Sequence, residues 1–127
     1  MKRLTWTLLT ASLAAALTAV PAHAFECDAD EVGYVATFKV EEGKEAEFEA
    51  LVIELTDQVH ALEPGMVFYA PYRDEQAPGV YHFMERYTNA AARDAHAKAD
   101  EIRAVFGQVM PLLREPLDVR RVTALCP

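Results

Sequence analysis

The groups best suited to move a proton in this chain are His96 and Glu85. They lie within Glu63 to His96, a stretch that also holds Tyr69, Tyr72, Tyr81 and Tyr87. An unperturbed imidazole titrates at about 6.5, so His96 sharing a cleft with Glu85 would serve as a general base. The structural alternative is a partly buried histidine hydrogen-bonded to backbone. Glu85 shares strand parity with Tyr81, Phe83 and Tyr87. Together they could orient a planar aromatic molecule by stacking and hydrogen bonding, or they could simply fill a core. A buried carboxylate is costly without a partner. Arg86 has the opposite parity to Glu85, so Arg73 is the expected partner. The candidate set is therefore His96 and Glu85 as catalytic groups, with Tyr69, Tyr81, Phe83, Tyr87 and Arg73 binding substrate. His60 closes a helix, where the helix dipole favours a cation. His82 has the parity of Met84 and Arg86, which points it to the other face of the sheet.

These side chains are positioned by six predicted elements. Gly33 to Val40 is rich in β-branched and aromatic residues and reads as a strand. A turn at Glu41-Glu42-Gly43 leads to a helix from Lys44, whose stripe is Phe48, Leu51, Val52, Leu55, Val59 and Leu62. Pro64-Gly65 stops it. Met66 to Arg73 is a second strand, with an irregular far end expected because Pro71 cannot donate to a ladder. Asp74 to Gly79 is a loop, and Val80 to Tyr87 completes a hairpin. Thr88 is the expected N-cap of an Ala-rich helix through Lys98. Asp100 would cap a further helical piece with the stripe Ile102, Val105, Phe106, Val109, Leu112 and Leu113. Pro116 ends it, and Leu117 to Leu125 is the last strand. The order βαββαβ predicts an α+β, ferredoxin-like antiparallel sheet with helices on one face. Every strand carries apolar groups at both parities, so the open face should be covered by a second copy in a homodimer.

Residues 1–24 read as a signal peptide: Lys2 and Arg3, an apolar run from Leu4 to Val20, then the small-x-small motif Ala22-His23-Ala24. Export to the periplasm or medium is the expectation, with no stable membrane association after cleavage. The remaining 25–127 form one domain of 103 residues, enough for a single core. Cleavage removes the only Trp and the only Ser, so a serine nucleophile is excluded. It also removes two basic residues and no acidic one, moving the net charge from −8 to −10. That surface argues against nucleic acid or anionic membrane as a partner. Cys27 and Cys126 stand near the two ends of the domain. In an exported protein they are expected to form a structural disulfide, and the predicted topology brings the start of the first strand beside the end of the last. On the chain-entropy model such a bridge contributes roughly 4–5 kcal/mol. No metal-ligand spacing, phosphate loop, dinucleotide fingerprint or Cys-x-x-Cys pair is present, so neither metal nor cofactor is expected.

From Tyr34 to Leu125 the chain resembles the antibiotic biosynthesis monooxygenase superfamily. The resemblance rests on VEEGKEAEF (Val40–Phe48), Glu63-Pro64-Gly65, Tyr69 with Tyr72-Arg73-Asp74, Glu85-x-Tyr87 and Ala95-His96. It implies an α+β homodimer of barrel-like core, with a pocket between sheet and helices in each subunit. The family includes cofactor-free quinol monooxygenases, haem-degrading enzymes and an isomerase, so fold does not fix the reaction. Haem degradation is disfavoured, because the first strand lacks Asn and the processed chain lacks Trp. Tyr87 stands where many members carry Trp, and Ala99-Asp100 replaces a frequent second His. The activity implied is cofactor-independent monooxygenation of a quinol-like or polyphenolic aromatic by dioxygen. The alternative is a non-catalytic module of the same fold that binds a small apolar ligand or haem.

Overall fold

A computed structural model describes residues 28–125. Cys27 and Cys126, expected to form a disulfide, and residues 1–24, expected to be a signal peptide, lie outside the described residues. The elements are β1 (Val32–Lys39), α1 (Glu45–Leu62), β2 (Met66–Arg73), β3 (Val80–Tyr87), α2 (Ala90–Lys98), α3 (Asp100–Val109) and β4 (Asp118–Val122), with a 3₁₀ turn at Met110–Leu112 after α3. The four strands form one antiparallel sheet in the order β2-β3-β1-β4. This is the ferredoxin-like α+β arrangement expected from the element order.

Apolar spacing explains how the helices seat. Phe48, Val52, Leu55 and Val59 recur along one stripe of α1 and are all buried. Ile102, Val105 and Val109 do the same for α3. They close over a sheet face carrying Ala36, Phe38, Tyr69, Tyr81 and Phe83. The predicted stripe of α1 runs one turn too far, since Leu62 is exposed. Four other expectations shift. The cap of α2 is Asn89, whose side chain accepts the Ala92 N–H at 2.9 Å. Thr88 stands one residue too early, and its N–H donates to the Gly65 carbonyl at 2.9 Å. A single residue, Ala99, joins α2 to α3, so Asp100 falls inside α3 and pairs with Arg103 there. The last strand stops at Val122 because its partner β1 begins at Val32, and Gly33 already faces Val122. Finally, β2 stays in register through Pro71 to Arg73. It is an edge strand, where a missing N–H is tolerated. Its irregularity lies instead between Met66 and Phe68.

One close approach fixes α2 on the sheet. A Cβ built on Gly65 would lie 2.5 Å from the Ala92 Cβ. Only a hydrogen fits between the end of α1 and the first turn of α2. Gly65→Ala is therefore expected to cost about 1–3 kcal/mol by overpacking. Urea unfolding measures this, and a loss below about 0.5 kcal/mol would show that α2 is free to slide.

The opposite face of the sheet carries Val35, Phe68, Tyr72, His82, Met84, Arg86 and Val122. Phe68, Tyr72, Met84 and Val122 are exposed, and an apolar groove of about 380 Å³ runs along Val35, Phe68, Met84 and Val122. Among the described residues no helix is long and apolar enough to cross a membrane.

Candidate active site

His96 is buried, with 5 % exposure, on the inner face of α2. Its Nδ1 lies 2.8 Å from Oε2 and 3.0 Å from Oε1 of Glu63, the residue that ends α1. The rings of Tyr69 and Tyr87 flank the imidazole, with centroids at 5.4 and 5.3 Å. This orientation is set by a carboxylate and two aromatics, not by a backbone contact. Nδ1 is thus engaged, and Nε2 is the nitrogen left for a ligand. The arrangement has the logic of a base held in one tautomer by an acidic partner.

Burial works against charge on either member of this pair. Burial, helped by the charge of Glu101, pushes the Glu63 carboxyl up to about 7. Burial holds the His96 imidazole below its ordinary value, and Arg93 adds to that against the opposing pull of Glu85 and Glu101. Both directions disfavour charge on a group removed from water. Burial, with the Glu85 charge next in importance, also drives the Tyr69 and Tyr87 hydroxyls well above the usual phenol range. They remain protonated donors.

Glu85 is buried at 8 % exposure, and its Oε2 accepts the Tyr87 hydroxyl at 2.6 Å. That partner replaces the expected Arg73. Arg73 faces Tyr81 in the β2–β3 register, whereas Glu85 faces Tyr69. The two sites are four residues apart, about 13 Å along a strand. Arg73 instead bonds Oε1 of Glu49 through Nε at 2.9 Å and Nη2 at 2.6 Å, and the Tyr81 hydroxyl shares that oxygen at 2.6 Å. These bonds, Tyr81's first, lower the Glu49 carboxyl.

Glu85 and His96 do face one space. A cavity of about 180 Å³ between the sheet and α2–α3 is lined by both, by Arg93, and by apolar groups including Ala36, Ile102 and Phe106. A second cleft of about 390 Å³ opens on the Glu63 side of His96, along Gly65, Ala92 and Glu101. Of the sequence-derived binding residues, Tyr69 and Tyr87 pack on the imidazole. Tyr81 and Phe83 sit in the aromatic core with Phe48, and Arg73 lies over its own small hollow beside Glu49. None of these five lines the cavity that Glu85 and His96 share.

Sequence reasoning missed two residues. Glu63 was legible only as a helix stop, yet a carboxylate at a helix C-terminus opposes the dipole and so invites another explanation. Arg93 stands three residues before His96, hence on the same helix face. Its guanidinium carbon lies 4.7 Å above the Tyr34 ring. The remaining histidines are structural in placement: His60 Nε2 donates to the Tyr69 carbonyl at 2.9 Å, and His82 bridges Thr37 and Asp74, both at 3.1 Å, on the open face.

Residues 32–108 match the profile of the family described as antibiotic biosynthesis monooxygenase. The chain belongs to the antibiotic biosynthesis monooxygenase family. A protein of the same family name from Caulobacter crescentus CB15 is 31% identical, with a TM-score of 0.73, over 76% of this chain and 91% of that one. A Shewanella oneidensis protein is 29% identical, with a TM-score of 0.68, over 75% and 91% respectively. A Mycobacterium tuberculosis protein at 24% identity and a TM-score of 0.70, over 76% and 97%, shares the fold. Nothing among curated proteins matches. Membership in this family supports a monooxygenase or small-molecule-binding role.

Proposed function

We propose that the protein is an exported, homodimeric monooxygenase that needs no cofactor and oxidises a quinol-like aromatic. The observation that carries this reading is the Glu63–His96 pair, which leaves Nε2 as a base beside a small cavity that also holds Glu85. Nε2 takes the proton of a bound phenol while Glu63 holds Nδ1–H. The anion gives one electron to dioxygen, and the radicals recombine to form a C–O bond. Loss of water leaves a hydroxylated quinone. The ring supplies all four electrons: one oxygen atom stays on carbon, and the other leaves as water. Ala36, Ile102 and Phe106 line the cavity with apolar surface that limits quenching by solvent.

Oxygen uptake by the processed protein with a hydroquinone series tests this. Protein-dependent uptake with at least one member is expected. No uptake across the series overturns it, and bound ligand without uptake would favour the non-catalytic binding module.

The open face supports the homodimer. Phe68, Tyr72, Met84 and Val122 are all exposed on that face, and three of them line its apolar groove. A second copy packed sheet to sheet covers it. Light scattering at micromolar concentration is expected to give twice the chain mass, and a monomeric mass would reject this packing.

A further inference from the structure

The cavity has two chemically different poles that do not touch each other. Arg93 contributes a guanidinium, while Glu85 and His96 contribute acceptors. Among the described residues no carboxylate pairs with Arg93, and its Nε is buried with no hydrogen-bond partner. Glu85 takes its hydrogen bond from Tyr87 instead. Arg103, the other cation on the cavity wall, is already paired with Asp100. Nε itself is enclosed by protein, so what a ligand would meet is the Arg93 charge on the cavity wall, which no described carboxylate neutralises and which a ligand carboxylate could pair.

Size limits that ligand. The space is about 180 Å³. An apolar engineered cavity of about 150 Å³ accepts benzene, so this one is sized for a single ring with small substituents. Arg93 and His96 are three residues apart on α2, which places their Cβ atoms about 5–6 Å apart, the scale of one substituted ring. Tyr34 holds the guanidinium by a cation–π contact. A planar fork of donors so held suits a carboxylate, which it can bind through two parallel bonds.

We propose that the cavity is built for a monocyclic phenolic acid, its carboxylate on Arg93 and its ring hydroxyl toward His96 and Glu85. This deepens the quinol reading of the same site and makes Arg93 a specificity-determining residue. The chain as a whole is acidic, with net charge −8, so its overall field does not recruit an anion. Recognition rests on the one local cation.

Calorimetric titration of the processed protein without oxygen tests the assignment, using 2,5-dihydroxybenzoate, its neutral amide 2,5-dihydroxybenzamide, and hydroquinone. The acid is expected to bind about 10–100-fold more tightly than the amide, the range for a hydrogen bond to a charged group. Arg93→Gln should erase that preference. Arg93→Lys should retain only part of it, because an ammonium lacks the planar fork. His96→Ala should keep it. Equal binding of acid and amide by the unmodified protein overturns the proposal, as does an undiminished preference in Arg93→Gln. Should Arg93→Gln lose its cooperative melt by circular dichroism, Arg93→Lys decides: a full preference there overturns the proposal, and a partial one supports it. Because the titration involves no turnover, acid-selective binding with no oxygen uptake in air would reject only the monooxygenase reading. Uptake with no acid preference would reject only this one.

Discussion

Replacing His96 by alanine is expected to lower kcat/KM for a quinol-like substrate by roughly 10²–10⁴-fold, the usual contribution of a positioned general base. Oxygen-electrode kinetics on the purified variant measure it, and equal uptake by His96→Ala would reject the mechanism. The pH profile gives the second half of the same result. Burial raises the Glu63 carboxyl to about 7. Below that pH, Glu63 keeps its proton and donates to Nδ1, which forces the ring's one proton onto Nε2 and removes the base. Above it, the carboxylate accepts Nδ1–H and Nε2 is free. Activity should therefore rise through about pH 7. Glu63→Gln retains an acceptor for Nδ1–H and should move that inflection downward. A profile flat across pH 6–8 would mean that the Glu63–His96 pair does not supply the base.

The same pair acts on stability with opposed signs. Glu63 is raised from its ordinary 4.5, so its contribution is fully present below about 4.5 and is lost as pH climbs through about 7. His96 is lowered from 6.5, so its contribution is present above about 6.5 and is lost as pH falls through the depressed folded value. Over the acid range between these values the two trends offset. The pH dependence of activity is thus the cleaner signature of the dyad.

Replacing Phe83 by alanine is expected to cost about 3–5 kcal/mol, the range for removing a buried aromatic from a packed core. Phe83 is 1 % exposed, and its ring lies 4.7 Å from Phe38, 5.6 Å from Tyr69 and 6.5 Å from Phe48, centroid to centroid. Removing it opens a void in the slab beneath both helices, against a total stability of about 5–15 kcal/mol for an ordinary domain. Urea unfolding with an unchanged slope would establish the loss. A change under about 1 kcal/mol would mean that Phe83 faces a cavity or solvent, as the substrate-binding reading of its strand parity supposed.

That contrast shows where the chain's own periodicities carry and where they stop. The alternation Tyr81, Phe83, Glu85, Tyr87 correctly places four side chains on one face of β3, because successive strand residues point to opposite sides. It cannot say that Tyr81 and Phe83 end in the core while Glu85 reaches a cavity, since that depends on which helix lies above each. Likewise the α1 stripe names Phe48, Val52, Leu55 and Val59 as buried, yet overruns to Leu62, which is exposed.

By itself the sequence determined the elements, their order, the ferredoxin-like sheet and the shared face of Tyr81, Phe83, Glu85 and Tyr87. These follow from local propensity, period and turn chemistry, all carried by neighbours within a few residues. Only the tertiary structure decided the partners. Glu63 and His96 are 33 residues apart and meet because the Gly65 approach brings the end of α1 against α2. Arg93 reaches Tyr34 across the sheet, and Arg73 goes to Glu49 because the β2–β3 register sets it far from Glu85. Pairing at such separations is fixed by how elements pack, and no local period in the chain encodes it.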